Sequence, residues 1–243
     1  MYNNYFHNKV VLITGAGSGI GRGLCLQLAT EGAIVFCTDI DIAKAIETES
    51  MAINGNIIAQ KLDVAIITEF ENIVTEIVNR HGRLDLIFNN AGIAVSGEIR
   101  DIDIEQWKKI VDINFYGVLN GSLTAYRQML KQGSGQIVNI ASAAGLIDYL
   151  ALMAPYSVTK HAIVNYTKIL RIEAKKLGVK ANVVCPGFIS TSIGENAINP
   201  HANTKWNEHA INEVAKGITI QKAVHHILKG VAANTESLSS LYR

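Results

Sequence analysis

A tyrosine at position 156 and a lysine at 160 stand one helical turn apart in "APYSVTK" (154–160), with a proline just ahead of them. Positions i and i+4 of a helix share a face, so a phenol and an ammonium can lie side by side there. A phenol near its ordinary pKa of ~10 is a poor acid–base group at neutral pH. A neighbouring ammonium favours the phenolate and is expected to bring the Tyr156 pKa down toward the working range. Hydride reduction of a carbonyl needs such a pair, because the oxygen gathers negative charge and must then receive a proton. Taken alone, the spacing is common, and a half-buried tyrosine beside a solvated lysine explains it equally well.

A second stretch narrows the choice. The apolar run "KVVLIT" (9–14) leads straight into "TGAGSGIG" (14–21), and a helix is expected to follow. Gly15, Gly19 and Gly21 permit a tight turn and close approach of backbone to a ligand. Amides at a helix N-terminus, together with the helix dipole, stabilise a pyrophosphate there. The spacing is G-x-x-x-G-x-G rather than the more familiar G-x-G-x-x-G. Asp39 closes the next apolar run at the distance, ~20 residues on, where a carboxylate accepts the adenosine ribose hydroxyls. A carboxylate repels a 2′-phosphate, so NAD(H) is favoured over NADP(H). The uncharged Ser18 points the same way, and Arg22 is the reservation, since its guanidinium could reach such a phosphate.

These residues need a frame. Short β-branched runs fall at 9–14, 33–38, 56–64, 84–90, 135–142 and 179–187. Helical periodicity separates them: through about 30, across the forties, then over 67–82, 103–131, 155–178 and 220–234. Strands apolar on both faces that alternate with helices predict an α/β fold, a doubly wound parallel sheet in three layers. No linker or repeat divides the chain, so a single domain over 1–243 is expected. A lid over the substrate is expected at about 190–217, with Trp206 pinning it. The tail, about 234–243, is atypical: serine-rich "TESLSSLYR" lacks the alternation of a seventh strand.

Composition excludes several classes. A formal net charge of +1 with no long like-charged block builds no field for nucleic acid. No apolar run approaches the ~20 residues of a membrane span, and the first residues lack the pattern of a secretory signal. Cys25, Cys37 and Cys185 are far apart and the histidines have no ligand spacing, so no metal site is expected. Reduced thiols suggest a cytoplasmic setting.

Further polar residues fall at the ends of the later strands. In chain order these are Asp63, "NNAG" (89–92), Asn114, Ser142, Tyr156 with Lys160, then "PG" (186–187) and Thr191. With "TGAGSGIG", over roughly residues 8–192, this series resembles the short-chain dehydrogenase/reductase family in its compact branch. The resemblance implies a Rossmann fold and an NAD(P)-dependent oxidoreductase that interconverts a secondary alcohol and a ketone. It implies Tyr156 as acid–base group, with Lys160 also holding the nicotinamide ribose. Ser142 would donate a hydrogen bond to the substrate oxygen, and Asn114 would hold a water joining Lys160 to solvent. On the cofactor, Gly15, Ser18, Gly19, Ile20 and Gly21 would form the phosphate turn, and Asp63 and Val64 would flank the adenine. Asn90, Ala91 and Gly92 would back it, while Pro186, Gly187, Ile189 and Thr191 would contact the nicotinamide, Thr191 through its carboxamide. Thr14 would tie the glycine turn to "NNAG". The long helices after the fourth and fifth strands would make a homodimer, with a tetramer possible and the last strand's contact doubtful. Two other readings are open: a non-catalytic NAD(P)-sensing protein, which both Tyr156 and Lys160 argue against, and a sugar-nucleotide epimerase or dehydratase. The latter needs a larger C-terminal part than follows Pro186.

Overall fold

Strand β1 (Val10–Thr14) is buried at every position, and its alternate residues serve opposite faces of the sheet. Val11 and Ile13 join one core cluster, Val10 and Leu12 the other. That double coverage explains why the strand sequences read as unbroken apolar runs. The structure is a computed structural model, describing residues 2, 4–53, 56–147, 151–191 and 216–238.

The strands that follow are β2 (Ile34–Asp39), β3 (Ile57–Lys61), β4 (Leu86–Asn89), β5 (Gly135–Ile140), β6 (Val179–Val184) and β7 (Ser237–Leu238). They form one seven-stranded sheet in the order β3-β2-β1-β4-β5-β6-β7, and every pairing is parallel. The chain winds outward from β1 in one direction and from β4 in the other. The switch point therefore lies between β1 and β4, where open α/β sheets bind ligands beyond the carboxyl ends of their strands.

One face is covered by α1 (Gly19–Thr30), α2 (Ile42–Ser50) and α7 (Ile220–Ala232), through Leu24, Leu28, Ala45, Ile227 and Leu228. The other is covered by α3 (Ile67–His81), α5 (Gly117–Gln132) and α6 (Ala154–Ala174), through Phe70, Ile77, Met129 and Leu170. Full burial of a Leu- or Phe-sized side chain stabilises by ~1.5–3 kcal/mol, so these two layers carry most of the folding free energy. A polar seam crosses the second face. Asn89 Nδ2 donates to Ser122 Oγ (3.1 Å) and to Asn139 Oδ1 (2.8 Å). Asn139 Nδ2 donates to Thr167 Oγ1 (2.9 Å), so β4, β5, α5 and α6 are linked.

Three features depart from the sequence expectation. The expected single helix over 103–131 is α4 (Ile104–Val111) and α5, joined through a π turn at Asp112–Tyr116. The extra residue of that turn leaves apolar periodicity nearly intact and so gives no sequence signal. The first residues are also structural. Phe6 is fully buried, and the Tyr5 hydroxyl donates to Gln136 Oε1 at 2.6 Å.

The third departure is the tail, where a seventh strand exists although none was expected. Ser237 and Leu238 pair with Val183 and Val184. Side chains outside the strand hold it. Arg171 donates to the Asn234 carbonyl (2.8 Å) and Oδ1 (2.9 Å), while Asn182 Nδ2 donates to the Thr235 carbonyl (2.5 Å). Such anchoring leaves no mark on local alternation. Residues 239–243, nearly all of the expected lid and its Trp206 lie outside the described residues. No described helix is long and apolar enough to cross a membrane.

Arg171→Met removes charge-assisted bonds worth ~1.5–3 kcal/mol each. Amide exchange at residues 234–238 is expected to accelerate well before that of β1; uniform acceleration across the sheet would contradict the anchoring role.

Candidate active site

The carboxyl ends of five strands converge on the switch point. β1 delivers the glycine turn, β2 Asp39, β4 the segment 90–92, β5 Ser142 and β6 Pro186. Thr14 knots the first and third of these together. Its Oγ1 accepts the amides of Asn90 and Ala91, each at 3.0 Å. Asn90 Nδ2 donates back to the carbonyls of Thr14 (2.9 Å) and Gly15 (3.1 Å). Gly15 has φ +60°, and a Cβ there would sit 2.7 Å from Ala91 Cα, so both conformation and space require glycine.

α1 begins at the turn without a side-chain cap on Ser18 and without an acidic residue in its first turn. Its N-terminal amides, those of Ile20 and Gly21 among them, therefore suit an anionic ligand. Across the crevice Thr191 faces the turn; a Cβ at Gly19 would lie 3.4 Å from Thr191 Cγ2. The Asp39 carboxylate accepts the amides of Gly17 (2.9 Å) and Asp41 (3.0 Å), which fixes it beside the turn. These residues fit a dinucleotide: a donor-rich cradle for phosphates and, at its edge, an oriented carboxylate for a ribose. Arg22 is not free to meet a phosphate. Its guanidinium donates to Glu47 Oε1 (3.2 Å) and Oε2 (2.7 Å), to Thr48 Oγ1 (3.1 Å) and to the Gly17 carbonyl (2.5 Å).

Asp63 and Val64 follow β3. Asp63 Oδ1 accepts the Ala65 amide at 3.0 Å, forming a turn before α3. Val64 is buried and packs against Gly117. Pro186 accepts the Ala143 amide at 2.7 Å, so "PG" is bound to the Ser142 segment. Ile189 is buried and bridges to Ile218.

Tyr156, Ser142, Lys160 and Asn114 come together at the mouth of this crevice. Pro155 lies in the first turn of α6, where a missing N–H costs nothing. Ser157 Oγ reaches the Ala144 carbonyl at 2.9 Å, and a Cβ at Gly145 would lie only 2.6 Å from the Lys160 carbonyl oxygen. This tight seating of the Ser142 turn on α6 brings the Ser142 hydroxyl close enough to Tyr156 to act on its phenol. Lys160 is buried, its Nζ 5.5 Å from the centre of the Tyr156 ring and bonded to the Ile140 carbonyl at 3.1 Å. Asn114, in the π turn and fully buried, accepts the Ile93 amide (2.8 Å) and donates to the Ile93 carbonyl (2.9 Å). Gly92 lies between: a Cβ there would be 3.2 Å from Asn114 Oδ1 and 3.5 Å from Lys160 Nζ.

Electrostatics correct one expectation. Burial raises the Tyr156 phenol above its ordinary 10.0, and the Ser142 hydroxyl lowers it only in part. Burial acts on the Lys160 ammonium too and lowers it to about 8. Sequence reasoning also missed Cys185. This buried thiol, raised to about 11 by its own burial, interacts with Lys160 from the sheet side. Neither it nor the Arg22–Glu47 pair carries a spacing signal, since their partners lie far away in sequence.

The crevice makes the protein one of the nucleotide-binding α/β class, and comparison with known proteins narrows this. Residues 9–201 match the family model described as short chain dehydrogenase, and the chain belongs to that family of oxidoreductases. Cyclohexanol dehydrogenase of Acinetobacter sp. (strain SE19) is 37% identical over 196 residues, 79% of this chain and 77% of that one. Meso-2,3-butanediol dehydrogenase of Serratia marcescens is 34% identical over 204 residues, 84% of this chain and 80% of the other. A solved short chain dehydrogenase/reductase from Burkholderia phymatum, in complex with NAD, has a TM-score of 0.88 at 25% identity. That likeness covers 96% of this chain and 89% of that one.

The lowered lysine has a cost in stability with a definite sign. Below about pH 8 the folded protein must hold a buried ammonium; between about 8 and 10.5 it has shed the proton while the unfolded chain keeps it. The penalty, on the order of 3 kcal/mol, is thus full at neutral pH and relaxes as pH rises through that window. Lys160→Met is expected to melt at or above wild type at pH 7, the burial cost being offset by the ~1.5–3 kcal/mol of the lost charge-assisted Ile140 bond. The difference should shrink or reverse by pH 10, and a pH-independent difference would refute the burial cost.

Proposed function

We propose that the protein interconverts a secondary alcohol and a ketone with NAD(H), using Tyr156 as its acid–base group. The observation that carries this reading is the meeting of Tyr156, Ser142 and Lys160 opposite the glycine turn. When bound, the nicotinamide supplies or accepts the hydride. Tyr156, with its raised pKa, is protonated at neutral pH and so is set to donate a proton to a carbonyl oxygen during reduction. Ser142, beside that phenol, is placed to donate to the same oxygen as charge develops. Lys160 is positioned to hold the nicotinamide ribose and to favour the phenolate in the reverse direction. Asn114 orients the 92–93 backbone beside it and is the residue suited to hold a water for proton return.

Asp39 supports NAD(H) over NADP(H), because a fixed carboxylate at the adenosine ribose opposes a 2′-phosphate. The remaining cofactor roles follow the same frame: Gly15, Ser18, Gly19, Ile20 and Gly21 at the phosphates, Asp63 and Val64 at the adenine. Asn90, Ala91 and Gly92 lie behind the cofactor, with Pro186, Gly187, Ile189 and Thr191 at the nicotinamide. The substrate is a small or medium apolar secondary alcohol. Tyr156 packs against an apolar cluster of Val95, Ile102, Ile110 and Trp107, and relatives are named for cyclohexanol and 2,3-butanediol. A homodimer is supported by apolar side chains left exposed along two neighbouring helices: Leu123 and Leu130 on α5, Val158, Ile169 and Ile172 on α6. Three unpaired buried thiols suit a cytoplasmic setting.

Titration is expected to show NADH bound at least ~10-fold more tightly than NADPH, the ~1.4 kcal/mol of one adverse charge contact; the opposite order removes the role given to Asp39. Tyr156→Phe should lower kcat on an alcohol found by panel screening by ~10²–10⁴-fold, with NADH binding nearly unchanged. Normal turnover in that variant would overturn the mechanism. Alcohol oxidation needs the phenolate, so its rate should climb through the alkaline range. Ser142→Ala, which removes a hydroxyl that lowers the phenol, should move that limb to still higher pH; a shift downward would contradict the assigned contact.

A further inference from the structure

Arg22 lies in the first turn of α1, against the glycine turn, where a cation is well placed to meet a phosphate on the adenosine ribose. Four of its five N–H groups are engaged. Nε donates to Thr48 Oγ1, which is itself buried and donates to the Ala16 carbonyl at 3.0 Å. The two terminal nitrogens grip both oxygens of Glu47, and one also donates to the Gly17 carbonyl. Gly17 is the residue whose amide binds Asp39 Oδ2 at 2.9 Å. The guanidinium and the Asp39 carboxylate thus flank a single glycine, one cation and one anion at the edge of the proposed ribose site. What separates their effects is Glu47. Its side chain is 52% exposed and that of Arg22 24%, so the pair adds little to stability, but its fork-to-fork geometry occupies the N–H groups a phosphate would use.

We propose that Glu47 is a cofactor-specificity residue: by holding Arg22 in a bidentate pair, it denies the guanidinium to a ribose 2′-phosphate. Asp39 then repels NADP(H) directly, and Glu47 withholds the cation that could compensate. Glu47 acts through Arg22 and is a positioning residue. The proposal rests on the NAD(H) reading above.

The test is a binding cycle with NADH and NADPH on the full chain: wild type, Glu47→Gln, Arg22→Gln and the double variant. Glu47→Gln replaces an exposed carboxylate and is expected to fold. It should tighten NADPH about tenfold, the order of one charge-assisted hydrogen bond to phosphate, and leave NADH within about twofold. Glu47→Asp, which retains the pair, should keep the wild-type ratio. In the Arg22→Gln background the same Glu47 change should no longer alter the NADPH/NADH ratio. A gain that persists there would assign the effect to lost negative charge or to Lys44, whose Cβ also borders Gly17, and would overturn the proposal. Equal weakening of both dinucleotides by Glu47→Gln would make the pair purely structural, also overturning it. A wild-type protein that binds neither dinucleotide removes both readings. Wild-type NADH binding with no shift in Glu47→Gln removes this one alone.

Discussion

The hydroxyl of Thr14 is the smallest group on which the rest of the molecule depends. It sits at the end of β1, at the point where the sheet reverses its direction of growth, and it accepts two successive amides from the segment after β4. Without that acceptor, two partly buried N–H groups would lose their partner in the protein. The glycine turn and the 90–92 segment would then be held together by the Asn90 side chain and by the packing of Gly15 on Ala91. Everything functional is measured from that junction: the anion cradle on one side, and Gly92 with its neighbours Asn114 and Lys160 on the other.

The Tyr156 and Lys160 end of the crevice opposes burial against charge. A lysine held at about 8 and a phenol held above 10.0 are both displaced toward their neutral forms. Each shift is caused by removal from water, but only that of Lys160 lowers stability at neutral pH, because the phenol is uncharged there whether folded or unfolded. Such strain is common where a site is organised for a reaction rather than for folding. The surrounding shell has the opposite character. Ser157 on Ala144, the Gly145 contact with α6, and Asn114 on both backbone groups of Ile93 are well-formed neutral bonds or close packing. A rigid neutral frame is what permits the two titratable groups to stay where solvation opposes them.

Much of this could be read along the chain, because the legible parts are local. A strand, a glycine turn and a helix are contiguous, and Asp39 falls at the end of the next strand, so the sheet and nucleotide cradle follow from spacing alone. Tyr156 and Lys160 were legible for the same reason. What escaped depends on partners distant in sequence. Arg22 is engaged by Glu47 and Thr48, one helix away, as well as by the nearby Gly17 carbonyl. β7 is two residues long and exists because Arg171 and Asn182 hold the backbone ahead of it. The direction of the Tyr156 shift was misjudged because adjacency on a helix reveals the cation but not its loss of water. The covering role of Phe6 was invisible because an aromatic residue near a terminus has no periodicity to betray it.

The π turn at Asp112–Tyr116 has a consequence for how this protein can change. A π turn takes up its surplus residue locally, and α4 and α5 on either side of it each keep their own neighbours. The face of α4 bearing Ile110 looks toward Val95 and Ile102, while that of α5 bearing Ala125 and Met129 meets the sheet. Deleting one position there would restore regular α-helical winding and remove the bulge from which Asn114 reaches Ile93. The segment is therefore constrained in its length as well as in the identity of Asn114, whose side chain holds both backbone groups of Ile93.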